Sequence, residues 1–379
     1  MSDVRERSTT KAYDLAVLIL RAQLFHRGHA GVVLEALKTA ERVLLLVGSA
    51  NLGRDTRNPW TFTERRAVIL RAIHDIVHEA NPDASASVIA NAETALVNRI
   101  DIVALDDAPY DVDGWLTNVH TFVRNATPAV QPRVCLIGNK RDASSDYLDM
   151  FPRWPYLAVT DTRINATAIR KSYFDTDVDL DRKGWTDKGI VFSEVLYPST
   201  IEFLRRFRST SFFEDMIRER AAEEAYREKY GSGPFLTVDP VVVQSGYVLL
   251  IERGGAEGNG KWALPGGFLN PYERLLDGAA RECVEETNIF WGSQMNSDAQ
   301  KAHLKTFVKR SYRFDDPYRS RRASIVTDAF LFRLPDGHSL PRVEGRDDAK
   351  KAFWLPISEV RPDQMYDDHA FIIQKLLSL

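Results

Sequence analysis

One stretch of this 379-residue sequence, Gly266 to Ile289, places Gly267, Glu273, Arg281, Glu282, Glu285 and Glu286 at offsets that can do chemistry. At ordinary residue frequencies so many coincidences have a chance expectation on the order of one in a hundred thousand, so the set demands a reason. Glu282, Glu285 and Glu286 stand at i, i+3 and i+4, which puts three carboxylates on one face of a helix. Such a group repels itself unless a cation sits among it. Hard oxygen donors of this charge suit Mg²⁺ or Mn²⁺, and a diphosphate would bring further oxygens. A metal there can neutralise charge developing on phosphate and lower the pKa of an attacking water. Gly266 and Gly267, followed by Pro271, let the backbone come close to the metal, with Gly267 a candidate residue of the metal site. Hydrolysis of a phosphoanhydride is the natural reaction of this set.

A second constellation lies near the start. His26 and His29 bracket Gly28 in a His-x-Gly-His pattern, between an apolar run ending at Leu20 and an amphipathic run from Gly31 to Ala40. A helix that begins there offers backbone N–H groups and a positive dipole to phosphate. The two imidazoles add donors that can stabilise a pentacoordinate phosphorus and a departing pyrophosphate. Farther along, Asn165 and Thr167 open another helix with Arg170 one turn in, a further phosphate cradle. Together these segments suggest a triphosphate held between two helix ends.

The elements that must position these residues follow from periodicity. Apolar runs at 14–20, 43–47, 100–105, 134–137 and 156–159 alternate with amphipathic stretches at 31–40, 63–77, 115–125 and 193–207. Strand-then-helix alternation predicts a parallel sheet covered on both faces, with ligands beyond the carboxyl ends of its strands. The charged stretch from Ser211 to Tyr230, closed by Gly231-Ser232-Gly233-Pro234, reads as a linker helix. Beyond it, β-rich segments at 238–243, 247–252 and 324–334 surround one strong helix at 273–287, with a final helix near 363–377. The expected division is a first domain at 1–208, a linker at 209–233 and a second domain with a mixed sheet at 234–379.

Composition narrows the partners. With 50 basic and 53 acidic residues, net −3, no global basic field favours nucleic acid or a membrane surface. Cys135 and Cys283 are far apart and lack metal-ligand spacing, so neither a disulfide framework nor a zinc site is expected. Leu15 to Leu20 is too short to span a bilayer, and no signal-peptide pattern precedes it, so the cytoplasm is the expected compartment. Oligomeric state stays open, a homo-oligomer included.

The stretch from Gly267 to Glu286 resembles the Nudix box: a Gly, five residues, a Glu, seven residues, Arg-Glu, an apolar residue, any residue, and Glu-Glu. The resemblance implies metal ligation mainly by Glu282 and Glu286, assisted by Glu285, with Arg281 pairing with Glu273 to hold the loop. The family's Gly after the paired acids is Asn288 here, which also tolerates a left-handed helix end. The stretches Phe314–Ser320, Gly345–Ala349 and Phe353–Pro356 are similar to the ADP-ribose hydrolase branch, and an acid in the Glu344–Asp348 loop is a candidate general base.

The first constellation resembles the HxGH nucleotidyltransferases, most closely the archaeal-type nicotinamide-mononucleotide (NMN) adenylyltransferases. Arg21, Gln23, Phe25, His26, Gly28 and His29 match that branch's first motif, whereas Leu20, Ala22 and Leu24 do not, and Asn165 stands where Ser is usual. The match implies triphosphate contacts from Arg21, His26, His29, Arg57 and Arg170, with Gln23, Phe25, Gly28, Asn165 and Thr167 also at the nucleotide. It also implies that Trp115 lies against a nicotinamide ring, where an electron-poor pyridinium stacks well on indole. The implied architecture is α/β: a Rossmann-like nucleotidyltransferase with a parallel sheet, then a Nudix α/β/α sandwich with a mixed sheet. The order of the domains resembles a bacterial fusion that makes NAD from ATP and NMN and hydrolyses ADP-ribose. Another adenylyl acceptor, another Nudix substrate such as NADH or a sugar nucleotide, and a Nudix domain that only senses ADP-ribose are the alternatives.

Overall fold

Strand β1 (Tyr13–Leu20) lies at the centre of the first sheet, and its residues Leu15 to Leu18 are wholly enclosed, as expected of a parallel strand covered on both faces. This is a computed structural model that describes residues 11–139, 143–160, 164–174, 179–180, 190–291 and 295–378. After β1 come α1 (Arg27–Thr39), β2 (Ala40–Val47), α2 (Phe62–Ala80), α3 (Ala86–Val97), β3 (Ile100–Ala104), α4 (Val112–Ala126), β4 (Val134–Gly138) and β5 (Tyr156–Ala158). Helices α5 (Ala166–Tyr173), α6 (Phe192–Val195) and α7 (Pro198–Arg208) complete this part. The strands run in the order β3-β2-β1-β4-β5, and every pairing is parallel. From β1 the chain moves to β2 on one side and later enters β4 on the other. The sheet therefore changes direction at β1 and β4, and a crevice opens above their carboxyl ends. The His26 loop leaves β1 at that point.

Two details differ from expectation. Helix α1 begins four residues earlier, at Arg27, which makes His26 its N-cap. The single helix expected over 193–207 is two, α6 and α7, because Tyr197 precedes Pro198 and takes an extended conformation that a helix cannot continue through.

Arg65, in α2, ties the carboxyl ends of β1 and β2 together. Its buried guanidinium donates to the carbonyls of Arg21, of Gly48 at 2.7 Å and of Ser49 at 3.1 Å. Burial pushes its pKa down to about 10, so it stays charged. Asp107, just after β3, accepts from the Ser49 backbone N–H at 2.9 Å and from its hydroxyl at 2.7 Å.

By contacts the chain divides into two units. The first is 1–50, 57–107 and 112–214, and the second is 51–56, 108–111 and 215–379. The stretch expected as a linker is α8 (Ser211–Tyr230), and from Asp215 it belongs to the second unit, where Tyr226 packs against Ala323, Ile325 and Phe235. The second sheet contains β6 (Phe235–Gln244), β7 (Tyr247–Arg253), β8 (Trp262–Ala263), β9 (Gly267–Phe268), β10 (Val308–Phe314), β11 (Ile325–Arg333) and β12 (Ala349–Pro356). Its order is β10-β11-β6-β7-β12, with β8 on β7 and β9 on β6. Among the described strands β11 and β6 pair in parallel and the other pairs are antiparallel, so the sheet is mixed. Helix α9 (Leu275–Thr287) seals one face through Ala279, Ala280, Cys283 and Val284 against Val238, Val242 and Leu249. Helix α10 (Ser297–Lys305) lies beside α9, and α11 (His369–Leu377) covers the opposite face with Ile372, Ile373 and Leu376. Among the described residues no helix is long and apolar enough to cross a membrane.

Replacing Arg65 with Met would leave three carbonyls without their donor. We expect a loss of about 2–4 kcal/mol of stability in chemical denaturation of the full chain. A change below about 0.5 kcal/mol would contradict this role for Arg65.

Candidate functional site

In the second unit, Arg281 is the hub of the acidic constellation. Its Nε and Nη2 donate to the two oxygens of Glu273 at 2.8 and 3.0 Å, and Nη2 also reaches the Phe268 carbonyl at 3.0 Å. Its Nη1 reaches Glu282 at 2.7 Å and Glu285 at 3.2 Å. Glu273 precedes α9 and also accepts the Asn270 N–H at 3.0 Å, and the guanidinium holds its carboxyl below the usual range. Arg281 thus stitches the loop before α9 to the helix itself.

Glu286 faces inward and is 7% exposed, with its carboxylate accepting the Gly266 N–H at 2.8 Å. Burial pushes its pKa up to about 8, helped by the charges of Glu282 and Asp348 and opposed by Arg253. Burial likewise raises Glu282. Gly267 lets the backbone lie against Glu282: a Cβ there would sit 2.7 Å from its carboxylate oxygen and oblige that side chain to move. Gly266 has φ +155°, and a Cβ would strike Asp239 and the Val238 carbonyl.

Among the described residues, no group of three or more His, Cys, Asp or Glu side chains is arranged to hold an ion. The reason is electrostatic. Glu282 and Glu285 turn to the Arg281 guanidinium, and Glu286 turns to a backbone N–H, so each acid is satisfied locally. The donor chemistry nonetheless fits a hard divalent cation, since burial raises the pKa of both Glu282 and Glu286 and a cation offsets the cost of ionising them.

The loop expected to carry a general base closes over the end of α9. Glu344 N–H donates to the Thr287 carbonyl at 2.8 Å and Arg346 N–H to the Glu286 carbonyl at 3.0 Å. Asn288, with φ +40°, ends the helix in the left-handed conformation and donates to Glu344 at 3.2 Å. The departure from glycine is therefore accommodated, with a hydrogen bond that glycine could not make.

In the first unit three segments meet above β1. His26 caps α1, its Nδ1 accepting from His29 N–H at 3.3 Å, so a neutral His26 ring carries its proton on Nε2, a donor. The two imidazoles stack with centroids 3.7 Å apart. Gln23 and Phe25, expected at the nucleotide, are buried beneath the loop instead: Gln23 exchanges hydrogen bonds with the backbone of Trp60 at 2.9 and 3.2 Å. They shape the site from below. Trp60 in turn is enclosed by Tyr173, Phe174, Phe203 and Phe207, which fixes the neighbouring Arg57–Asn58 segment. Asn165 caps α5 by accepting from Thr167 N–H at 2.8 Å and Ala168 N–H at 3.3 Å. Arg170 donates to the Gln23 carbonyl and to Thr167 Oγ1 at 3.0 Å, joining α5 to the His26 loop. Arg21 is exposed at the end of β1, and Gly28 is buried in the first turn of α1. Trp115, in α4, is half-buried with its ring edge-on to Tyr147 at 6.1 Å.

Residues 234–376 match the NUDIX domain model, and residues 21–172 match the model described as cytidylyltransferase-like. The chain joins a cytidylyltransferase-like domain to a NUDIX domain. Along its length it is similar to a bifunctional NMN adenylyltransferase/ADP ribose pyrophosphatase from Francisella tularensis, at 26% identity and TM-score 0.79, covering 97% of this chain and 99% of that one. A structure from the same organism complexed with AMP and Mn ion gives 27% identity and TM-score 0.78 over 97% and 99% of the two chains. A nicotinamide/nicotinic acid mononucleotide adenylyltransferase from Acinetobacter baylyi is 26% identical over 215 residues, 56% of this chain and 96% of that protein.

Sequence reasoning missed residues that support both domains. In the cytidylyltransferase-like domain these are Arg65 and Asp107, which no local pattern distinguishes from surface charges. In the NUDIX domain Arg253 ends β7, lies over the Tyr366 ring at 4.0 Å and places a cation near Glu286. Its only local cue is its place between a strand and Gly254-Gly255.

The raised pKa of Glu286 has a testable sign. Its folded value, about 8, exceeds the ordinary 4.5, so between these values the folded chain holds a proton that the unfolded chain has released. Without metal, its contribution to stability therefore falls as pH rises through that window. A divalent cation competes with the proton and offsets the cost of ionisation. Mg²⁺ is expected to raise the thermal midpoint more at about pH 8.5 than at about pH 6, with the difference lost in Glu286→Gln. Equal shifts at both pH values in the unaltered chain would contradict this.

Proposed function

We propose that the cytidylyltransferase-like domain transfers the adenylyl group of ATP to NMN, giving NAD and pyrophosphate. The NUDIX domain hydrolyses ADP-ribose to AMP and ribose 5-phosphate with Mg²⁺ or Mn²⁺. The observation that carries this reading is the similarity to the Francisella protein through both domains, over 97% of this chain.

In the transferase, Arg21, His26, His29, Arg57 and Arg170 bind the triphosphate of ATP. Their charges and N–H donors also stabilise the crowded phosphorus as the NMN phosphate attacks the α-phosphorus. The bond from that phosphorus to the bridging oxygen breaks, and pyrophosphate leaves. No covalent bond to the chain is needed. Asn165 and Thr167 keep the start of α5 turned toward the phosphates, and the exposed part of Trp115 receives the nicotinamide ring.

In the hydrolase, Glu282, Glu285, Glu286 and the backbone at Gly267 would hold the divalent cation. When bound, it supplies Lewis-acid stabilisation of the diphosphate and a more acidic water. Arg281 and Glu273 keep the loop closed against α9, Arg253 offers its charge to the diphosphate, and an acid of the Glu344–Asp348 loop removes a proton from water.

Second-sphere partners of metal ligands alone are worth about 10- to 100-fold, so Glu286→Gln should lower ADP-ribose hydrolysis by more than about 100-fold. NAD synthesis by the same preparation should be unchanged. Trp115→Ala should do the converse, raising KM for NMN about tenfold without affecting hydrolysis. Steady-state kinetics of both reactions check this, and an unaffected hydrolysis rate in Glu286→Gln would overturn the assignment.

A further inference from the structure

The loop that presents Gly266 and Gly267 is held by a polar bracket on the face of the sheet opposite α9. Three hydrogen bonds run in order along Trp262 to Leu264. Trp262 N–H donates to the Gln364 carbonyl at 3.1 Å, Tyr366 N–H donates to the Trp262 carbonyl at 2.8 Å, and Leu264 N–H donates to His369 Nδ1 at 2.9 Å. The first two are backbone pairs that many sequences could form. The third requires a particular side chain.

His369 opens α11 and is 8% exposed, and it is the last fixed point before Gly266 N–H reaches Glu286. Its neighbours hold it in place. Asp368 takes two hydrogen bonds from Arg319, at 2.9 and 2.8 Å. Arg319 also lies 4.0 Å from Asp239, whose carboxylate accepts the Thr327 hydroxyl at 2.7 Å. Asp239 is the group that a side chain at position 266 would strike, so it limits the loop from beneath while His369 fixes it two residues upstream. An acceptor at Nδ1 means that the ring is neutral there, with its proton on Nε2. Burial favours that form.

The geometry points to His369 as a positioning residue of the hydrolase: by accepting the Leu264 N–H, it sets the loop that delivers the Gly266 N–H to Glu286 and Gly267 to Glu282. This rests on the NUDIX domain acting as a metal-dependent ADP-ribose hydrolase. His369 itself touches neither metal nor substrate.

The test separates the hydrogen bond from the space the ring fills. In His369→Asn the side-chain oxygen occupies the place of Nδ1, whereas in His369→Gln the polar end lies where Nε2 was. The full-length variants are compared for ADP-ribose hydrolysis and for binding of Mn²⁺ alone, followed by electron paramagnetic resonance, with thermal denaturation confirming the fold. Asn should stay within about threefold of the unaltered chain in both readouts. Gln should lose about 10- to 100-fold in kcat and bind Mn²⁺ more weakly, with a smaller change in KM. His369→Ala replaces Gln in the comparison if Gln does not fold. Equal behaviour of the folded Asn and Gln (or Ala) variants would overturn the role of His369. Failure of the unaltered chain to hydrolyse ADP-ribose would instead overturn the hydrolase reading on which it rests.

Discussion

Carboxylates taken out of water must be compensated, and the NUDIX domain is organised around that requirement. Arg281 spreads one guanidinium over Glu273, Glu282 and Glu285, while Glu286 has a single backbone N–H. Compensation of Glu286 is therefore incomplete, and burial pushes its pKa up to about 8. That deficit is what a divalent cation would relieve. The two glycines follow from the same demand: a side chain at 266 would strike the Val238 carbonyl and Asp239, and one at 267 would displace the Glu282 carboxylate.

The transferase site rests on a different economy. Few of its groups are charged and buried, and its precision comes from backbone fixed at the carboxyl ends of β1 and β2. Arg65 gathers carbonyls from both strands, and Gln23 locks the His26 loop to Trp60. Residues that resemble ligands in a linear pattern can thus be supports. Gln23 and Phe25 match a nucleotide motif yet face the interior, and the exposed Arg21 lies beside them.

Much of this was legible in the sequence because periodic burial and catalytic spacing leave local marks. All five strands of the first sheet and helix α9 follow from such marks, and the Arg281–Glu273 pair from the resemblance to the Nudix box. Strand β10 does not, since Val308 to Phe314 lies at a sheet edge with five consecutive exposed residues and no alternation. Helices α3 and α10 were also hidden. Each buries only one or two side chains, so neither imprints a full apolar stripe. Strand β12 was visible only as a family-like stretch. The supporting residues Arg65, Asp239 and His369 were illegible for another reason: their partners are distant in sequence, and a lone charged or aromatic residue has many ordinary uses. For the three acids, spacing gives the face on which they stand, but not that Glu282 and Glu285 turn to Arg281 while Glu286 turns to a backbone N–H.

The most direct test of the account is chromatographic identification of the products formed by the purified full-length chain with Mg²⁺ and ADP-ribose. AMP and ribose 5-phosphate in equal amounts are predicted. Intact ADP-ribose, in a preparation that still makes NAD from NMN and ATP, would contradict the account by showing that the acidic site acts on another diphosphate or only binds its ligand.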